Sequence, residues 1–145
     1  GGPHAAPRRA ELTSLDVRAP NVKDAHEGMA ASFRAGVMAA GSAIGLMVLL
    51  PDMPDIDQTD ILALMAAFSA APTRVLRAAA EDGTPGHPVI FPRRLYAELA
   101  VVTGDVGGRR VLEGEPVTLH RLQGQRALKD LDTPEDWANW RLERP

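Results

Sequence analysis

The run Leu49-Leu50-Pro51-Asp52-Met53-Pro54 sets one carboxylate between two prolines, at the end of the most apolar stretch of the chain. Proline fixes its own φ, so the backbone around Asp52 is stiff and the side chain is held in place. Ligands of open α/β sheets bind past the carboxyl ends of strands. An oxygen ligand there suits Mg²⁺, which takes one or two carboxylates and fills its shell with water and substrate phosphate. An Asp that only ends a strand and caps the next turn would have the same neighbours in sequence.

A second acidic group is Asp130-Leu131-Asp132-Thr133-Pro134-Glu135-Asp136. On an extended segment Asp130 and Asp132 point the same way. Thr133 fits a helix N-cap, Pro134 the first helical position, and the acids favour the positive end of the helix dipole. Capping explains Asp132 or Thr133 better than it explains Asp130. Two carboxylates from separate strand ends can clamp one Mg²⁺ on a transferring phosphate.

Three further groups carry weaker signals. In Gly86-His87-Pro88-Val89 the glycine lets a ligand approach the backbone closely, and His87 is either packed or a ligand contact. Gly104-Asp105-Val106-Gly107-Gly108 leads towards a helix beginning at Arg109, where backbone N–H groups can cradle an anion. A plain connecting turn would have the same composition. In Glu27-Gly28-Met29-Ala30-Ala31-Ser32, Gly28 and Ser32 stand at a helix start, where donors and a hydroxyl can meet a ligand; Met29 and Phe33 belong to the core.

The elements that position these groups follow from periodicity. Met29, Phe33 and Val37 form one helical stripe ended by Gly41. The uninterrupted apolar run 44–50 suits a strand buried on both faces of a parallel sheet. Ile61, Leu64, Met65 and Phe68 mark the next helix, capped by Asp57 or Thr59. Strands are predicted at 74–80, 87–91 and 117–120, with another at 127–131 and a weak one near 15–17. Short helices are predicted at 94–99 and 109–112, and a last one opens at Thr133. Alternating strands and helices give an α/β fold with a mostly parallel sheet.

The chain has 145 residues, 45% hydrophobic and 24% charged, which fits one globular domain spanning 1–145. A net charge of −3 argues against a nucleic-acid binder, and no apolar run reaches the length of a membrane span. There is no Cys, which excludes thiolate chemistry and makes the cytoplasm the simple location. No long apolar stripe is left over once the core is assigned, so a monomer is expected.

In order and spacing, Gly-Met-Ala-Ala-Ser at 28–32, Leu-Pro-Asp-Met-Pro at 50–54, Gly-His-Pro-Val at 86–89, Gly-Asp-Val-Gly at 104–107 and Asp-Leu-Asp-Thr-Pro-Glu-Asp at 130–136 resemble the MobA-like nucleotidyltransferases. The likeness is closest to the molybdenum cofactor cytidylyltransferase branch. It implies a three-layer α/β/α Rossmann-like fold. It also implies a Mg²⁺-dependent transfer of a nucleoside monophosphate from CTP or GTP to the phosphate of molybdopterin, with release of pyrophosphate. By the resemblance Asp52 is the catalytic metal ligand, with Asp130 or Asp132 the second. Gly28 and Ser32 contact the nucleotide, and Gly86, His87 and Asp105 the acceptor. A molybdoenzyme or its chaperone is an implied partner.

The family's opening strand and glycine-rich phosphate loop have no counterpart here, and Gly1-Gly2-Pro3 corresponds to a point after its second strand. Without that loop the resemblance implies a weak catalyst or an inactive one. The alternatives are transfer to another phosphorylated acceptor and a non-catalytic relative that binds a cofactor or partner.

Overall fold

The computed structural model describes residues 6, 9–10, 12–22, 24–104 and 107–144. The chain divides into two compact units, Gly1–Ala43 with Arg93–Glu115, and Ile44–Pro92 with Pro116–Pro145. The predicted strand near residues 15–17 is absent: Leu15 and Asp16 form a bend.

In the first unit a 3₁₀ turn, Ala25–Glu27, leads through Gly28 into helix α1, Met29–Ala40. Phe33 is buried as predicted, but Met29, expected in the core with it, is exposed; Gly41 ends the helix as predicted, its N–H donating to the Val37 carbonyl. A 3₁₀ turn Arg93–Leu95 runs into the short helix α3, Tyr96–Leu99, and α4 spans Arg109–Leu112. Arg34 ties the unit together, donating to the Val102 carbonyl at 3.0 Å and to Glu27 at 2.7 Å.

The second unit holds the whole sheet. Strands β1 (Gly45–Val48), β2 (Val75–Ala79), β3 (Pro85–Pro92) and β4 (Val117–Arg121) lie in the order β1-β3-β2-β4. β3 is antiparallel to both β1 and β2, and β2 is parallel to β4. Thus β1, β2 and β4 point one way and β3 alone runs against them, inserted between two strands that share a direction.

The most deeply buried strand is not the long apolar run at 44–50. That run forms β1 at the edge of the sheet, where all four residues are half-buried. The two inner positions belong to β3 and β2; in β2 Val75, Leu76, Ala78 and Ala79 are buried, and in β3 Val89, Ile90 and Phe91. Helix α2, Gln58–Ala70, puts Leu64 and Phe68 into a core with Leu76, Ala78, Ile90, Leu122 and Ala127. Met65, expected on that stripe, is instead exposed. Asp57 caps α2 in a reciprocal box with Asp60.

No strand forms at 127–131: a turn over 124–128, closed by Leu128 and Lys129 N–H groups donating to the Gln125 carbonyl, gives way to irregular backbone. It delivers the chain to α5, Pro134–Leu142, which opens as predicted: Thr133 and Asp136 cap each other and Pro134 stands at the start. Thr133→Ala removes the acceptor for the Asp136 N–H and should lower unfolding free energy by about 1 kcal/mol. Thr133→Ser should retain most of it. Chemical denaturation checks this, and an unchanged midpoint for Thr133→Ala would show that the cap contributes nothing.

Candidate functional site

Asp52 follows β1 by four residues, and its backbone carbonyl accepts from the Leu131 N–H at 2.9 Å. That bond sets the loop carrying Asp52 directly against the segment carrying Asp130 and Asp132. The two acids flank buried Leu131 and are both exposed, on irregular backbone rather than a strand. Asp52 is half-buried; its Oδ1 is fully enclosed and has no hydrogen-bond partner. An unsatisfied buried carboxylate oxygen is costly, by about 1–3 kcal/mol or more. Such a group calls for an explanation in function or in a missing ligand.

His87 comes to the same place through an irregularity in β3. Arg77 pairs with Val89 and Ala79 with Pro85, so two residues of β2 advance while four of β3 do. Pro88 has no N–H to give to a ladder, and the extra residues bulge out there. The His87–Pro88 peptide is cis. Within the bulge Arg77 Nε donates to the Gly86 carbonyl at 2.8 Å, and the His87 N–H donates to the Ala127 carbonyl at 2.8 Å. Gly86 is required by packing: a Cβ there would lie 1.9 Å from the Ala127 carbonyl oxygen. The space expected to admit a ligand at Gly86 is thus occupied by the 127 backbone.

Burial and the nearby Arg77 charge press the His87 imidazole below its ordinary value of 6.5, against the opposing pull of Asp52 and Asp130. The imidazole is therefore neutral at neutral pH. Because the folded value is the lower one, the unfolded chain takes the proton first on acidification. Stability is fully present above 6.5 and falls as pH drops through the lowered folded value. Two-dimensional NMR of the ring should give a midpoint below 6.5; a midpoint at or above it would contradict this placement.

Of the remaining expected residues, Gly28 and Ser32 lie in the first unit. Gly28 is the N-cap of α1 at φ 71°, ψ −140°, a conformation only glycine takes readily, and Ser32 is exposed in the first turns. Asp105 lies outside the described residues. Beside it, Gly107 packs against Met29 and Phe33. α4 has four residues, too few to build a dipole for an anion, and Arg109 and Arg110 are exposed. A cavity of about 440 Å³ in this unit is lined by Glu98, Val102, Thr103, Arg110 and Val111.

Two features escaped sequence reasoning. Asp55, three residues after Asp52, receives Trp140 Nε1 at 2.7 Å and is paired with Lys129 and Arg144. The signal available was that both tryptophans of the chain fall within four residues on the last helix. The other is Asp24, His26 and Glu27, the one trio among the described residues whose ligand atoms all lie within 4.8 Å of one another. Two of the three are exposed, and Glu27 is already paired with Arg34 at 2.7 Å. Asp52, Asp130 and Asp132 do not close into such a trio.

Residues 2–125 match the MobA-like NTP transferase domain family, and the chain belongs to it. It therefore carries a domain of the nucleotidyltransferase type. The crystal structure of Rv0371c from Mycobacterium tuberculosis H37Rv in complex with manganese superposes with a TM-score of 0.78 at 27% identity, covering 99% of this chain and 74% of that one. A second crystal structure of Rv0371c gives 0.74 at 28% identity, with 100% and 74% covered. The Rv0371c homologue from Mycobacterium sp. strain JC1, at 22% identity and a TM-score of 0.70, shares the fold. No protein of curated function matches the chain. Among the described residues no helix is long and apolar enough to cross a membrane.

Proposed function

We propose that the chain binds a nucleoside triphosphate with a divalent cation and directs its α-phosphorus to the phosphate of an acceptor, releasing pyrophosphate. The observation that carries this reading is the junction of the Asp52 loop with the 130–132 segment, made by the Leu131-to-Asp52 backbone bond, with an unpartnered Asp52 oxygen enclosed beside it. Hard carboxylates on two abutting segments suit Mg²⁺, and the manganese complex of Rv0371c supports a divalent ion of this size. Asp52 would hold the cation, with Asp130 or Asp132 as the second ligand.

When bound, the cation neutralises charge on the triphosphate. The residues themselves position and orient: the proline-flanked loop fixes Asp52, and neutral His87 offers a hydrogen bond without adding charge. Such transfer needs positioning and charge neutralisation more than covalent help from the protein. The motif likeness supports Gly28 and Ser32 as nucleotide contacts and Gly86, His87 and Asp105 as acceptor contacts. The same likeness supports CTP or GTP as donor, molybdopterin as acceptor, a molybdoenzyme or its chaperone as partner, and a cytoplasmic setting. We treat the two units as one MobA-like domain, because the family match runs through both.

Titration of the chain with CTP and GTP, with and without Mg²⁺, tests the reading. Binding should require the metal and be lost in Asp52→Ala. Equal metal-dependent binding by both proteins would refute the role of Asp52.

A further inference from the structure

We infer that helix α5 is a positioning clasp that holds the two carboxylate-bearing segments at a fixed separation, through Trp137 on one and Trp140 with Arg144 on the other. The inference rests on the proposed cation site. Trp137 Nε1 donates to the carbonyl of Leu131, the residue between Asp130 and Asp132, at 3.1 Å. One helical turn on, Trp140 Nε1 donates to Asp55 in the Asp52 loop at 2.7 Å. Arg144 pairs with the same carboxylate, and Lys129, just before Asp130, reaches it at 3.6 Å.

The helix has little else to do. None of its residues is buried, so it adds little to the hydrophobic core. Its indole donors go one to each carboxylate segment. The two rings meet edge to face, centroids 6.0 Å apart at 72°, and the Arg144 guanidinium lies 4.6 Å from the Trp140 ring centre. The edge-to-face pair and the cation–π contact are each favourable, and they join the two indoles and Arg144 in one contiguous cluster. Burial raises the Asp55 pKa, but the Trp140 hydrogen bond and the Lys129 and Arg144 charges outweigh it and hold it below the usual carboxylate range. Asp55 therefore stays ionised and engaged at neutral pH.

Residues that orient metal ligands typically change affinity without touching the ion. Trp140→Phe keeps the ring over Arg144 and removes only the donor. Asp55→Asn keeps an acceptor for Trp140 and removes the charge. Arg144→Gln, exposed beyond the helix end, alters the clasp with the least risk to folding. The probe is Mn²⁺ alone, its free concentration read by electron paramagnetic resonance, at a temperature where circular dichroism shows each variant fully folded. A purely structural role would leave the Mn²⁺ Kd of a fully folded variant unchanged.

Trp140→Phe and Asp55→Asn should each raise the Kd about tenfold, and Arg144→Gln should raise it by less. Wild-type Kd values in Trp140→Phe and Asp55→Asn, alongside lost binding in Asp52→Ala, would overturn the clasp and leave the site standing. Should those two variants fail to fold, an unchanged Kd in Arg144→Gln overturns it. Wild-type binding in Asp52→Ala would instead overturn the site itself.

Discussion

Asp52→Ala is expected to weaken Mn²⁺ binding by about a hundredfold or more, exceeding the effect of changing a residue that merely orients a ligand. In the same variant the metal-free Tm should stay at or above that of wild type. The two halves of this result come from one feature. The Asp52 Oδ1 is enclosed without a hydrogen-bond partner, so the free protein bears an unsatisfied polar atom that Ala removes. A residue kept for structure loses stability when truncated; one kept for a ligand is strained or unsatisfied without it. Calorimetry without metal, beside a Mn²⁺ titration, reads both. A Tm several degrees below wild type with metal binding intact would make Asp52 a structural residue that ends β1 and caps the following turn.

Gly86→Ala should lower the unfolding free energy by about 3 kcal/mol. For a domain of this size that moves the Tm down by about 10 °C. The new Cβ would stand 1.9 Å from the Ala127 carbonyl oxygen and 2.6 Å from its carbon. Those obstacles are backbone atoms, and they cannot rotate away. The same carbonyl accepts the His87 N–H at 2.8 Å, so relieving the clash breaks a buried hydrogen bond. Thermal and urea unfolding measure the loss. If Gly86 served only as an open approach for an acceptor, Ala would leave stability untouched and weaken ligand binding alone.

What the sequence made legible depended on whether a signal was local. The α5 start was readable because a capping box with Pro at the first position is written in four adjacent residues, and 133–136 form it. The Asp52 loop was readable because two prolines bracket it. The edge position of β1 was not readable. An apolar run reports low polarity but not the number of neighbouring strands, and β3 enters between β1 and β2 only through long-range pairing. Residues 127–131 resemble a strand by composition, yet Gln125 captures the N–H groups of Leu128 and Lys129 and closes a turn. For the site, the carboxylates themselves were visible as residues flanking special backbone. Asp55 was not, because its meaning lies in Trp140, Lys129 and Arg144, which are brought to it only by the fold. Gly86 was noticed for the right property, absence of a Cβ, but what uses that absence is the chain's own backbone at 127.

Where a divalent cation sits is decided by Mn²⁺ added substoichiometrically to isotope-labelled protein, with amide signals followed for paramagnetic broadening. Broadening should centre on Asp52, His87 and the 130–132 segment, and disappear from them in Asp52→Ala. Broadening centred instead on the exposed trio of Asp24, His26 and Glu27, with the signals around Asp52 left sharp, would mean that the enclosed carboxylate holds no metal and that the proposed chemistry has lost its anchor.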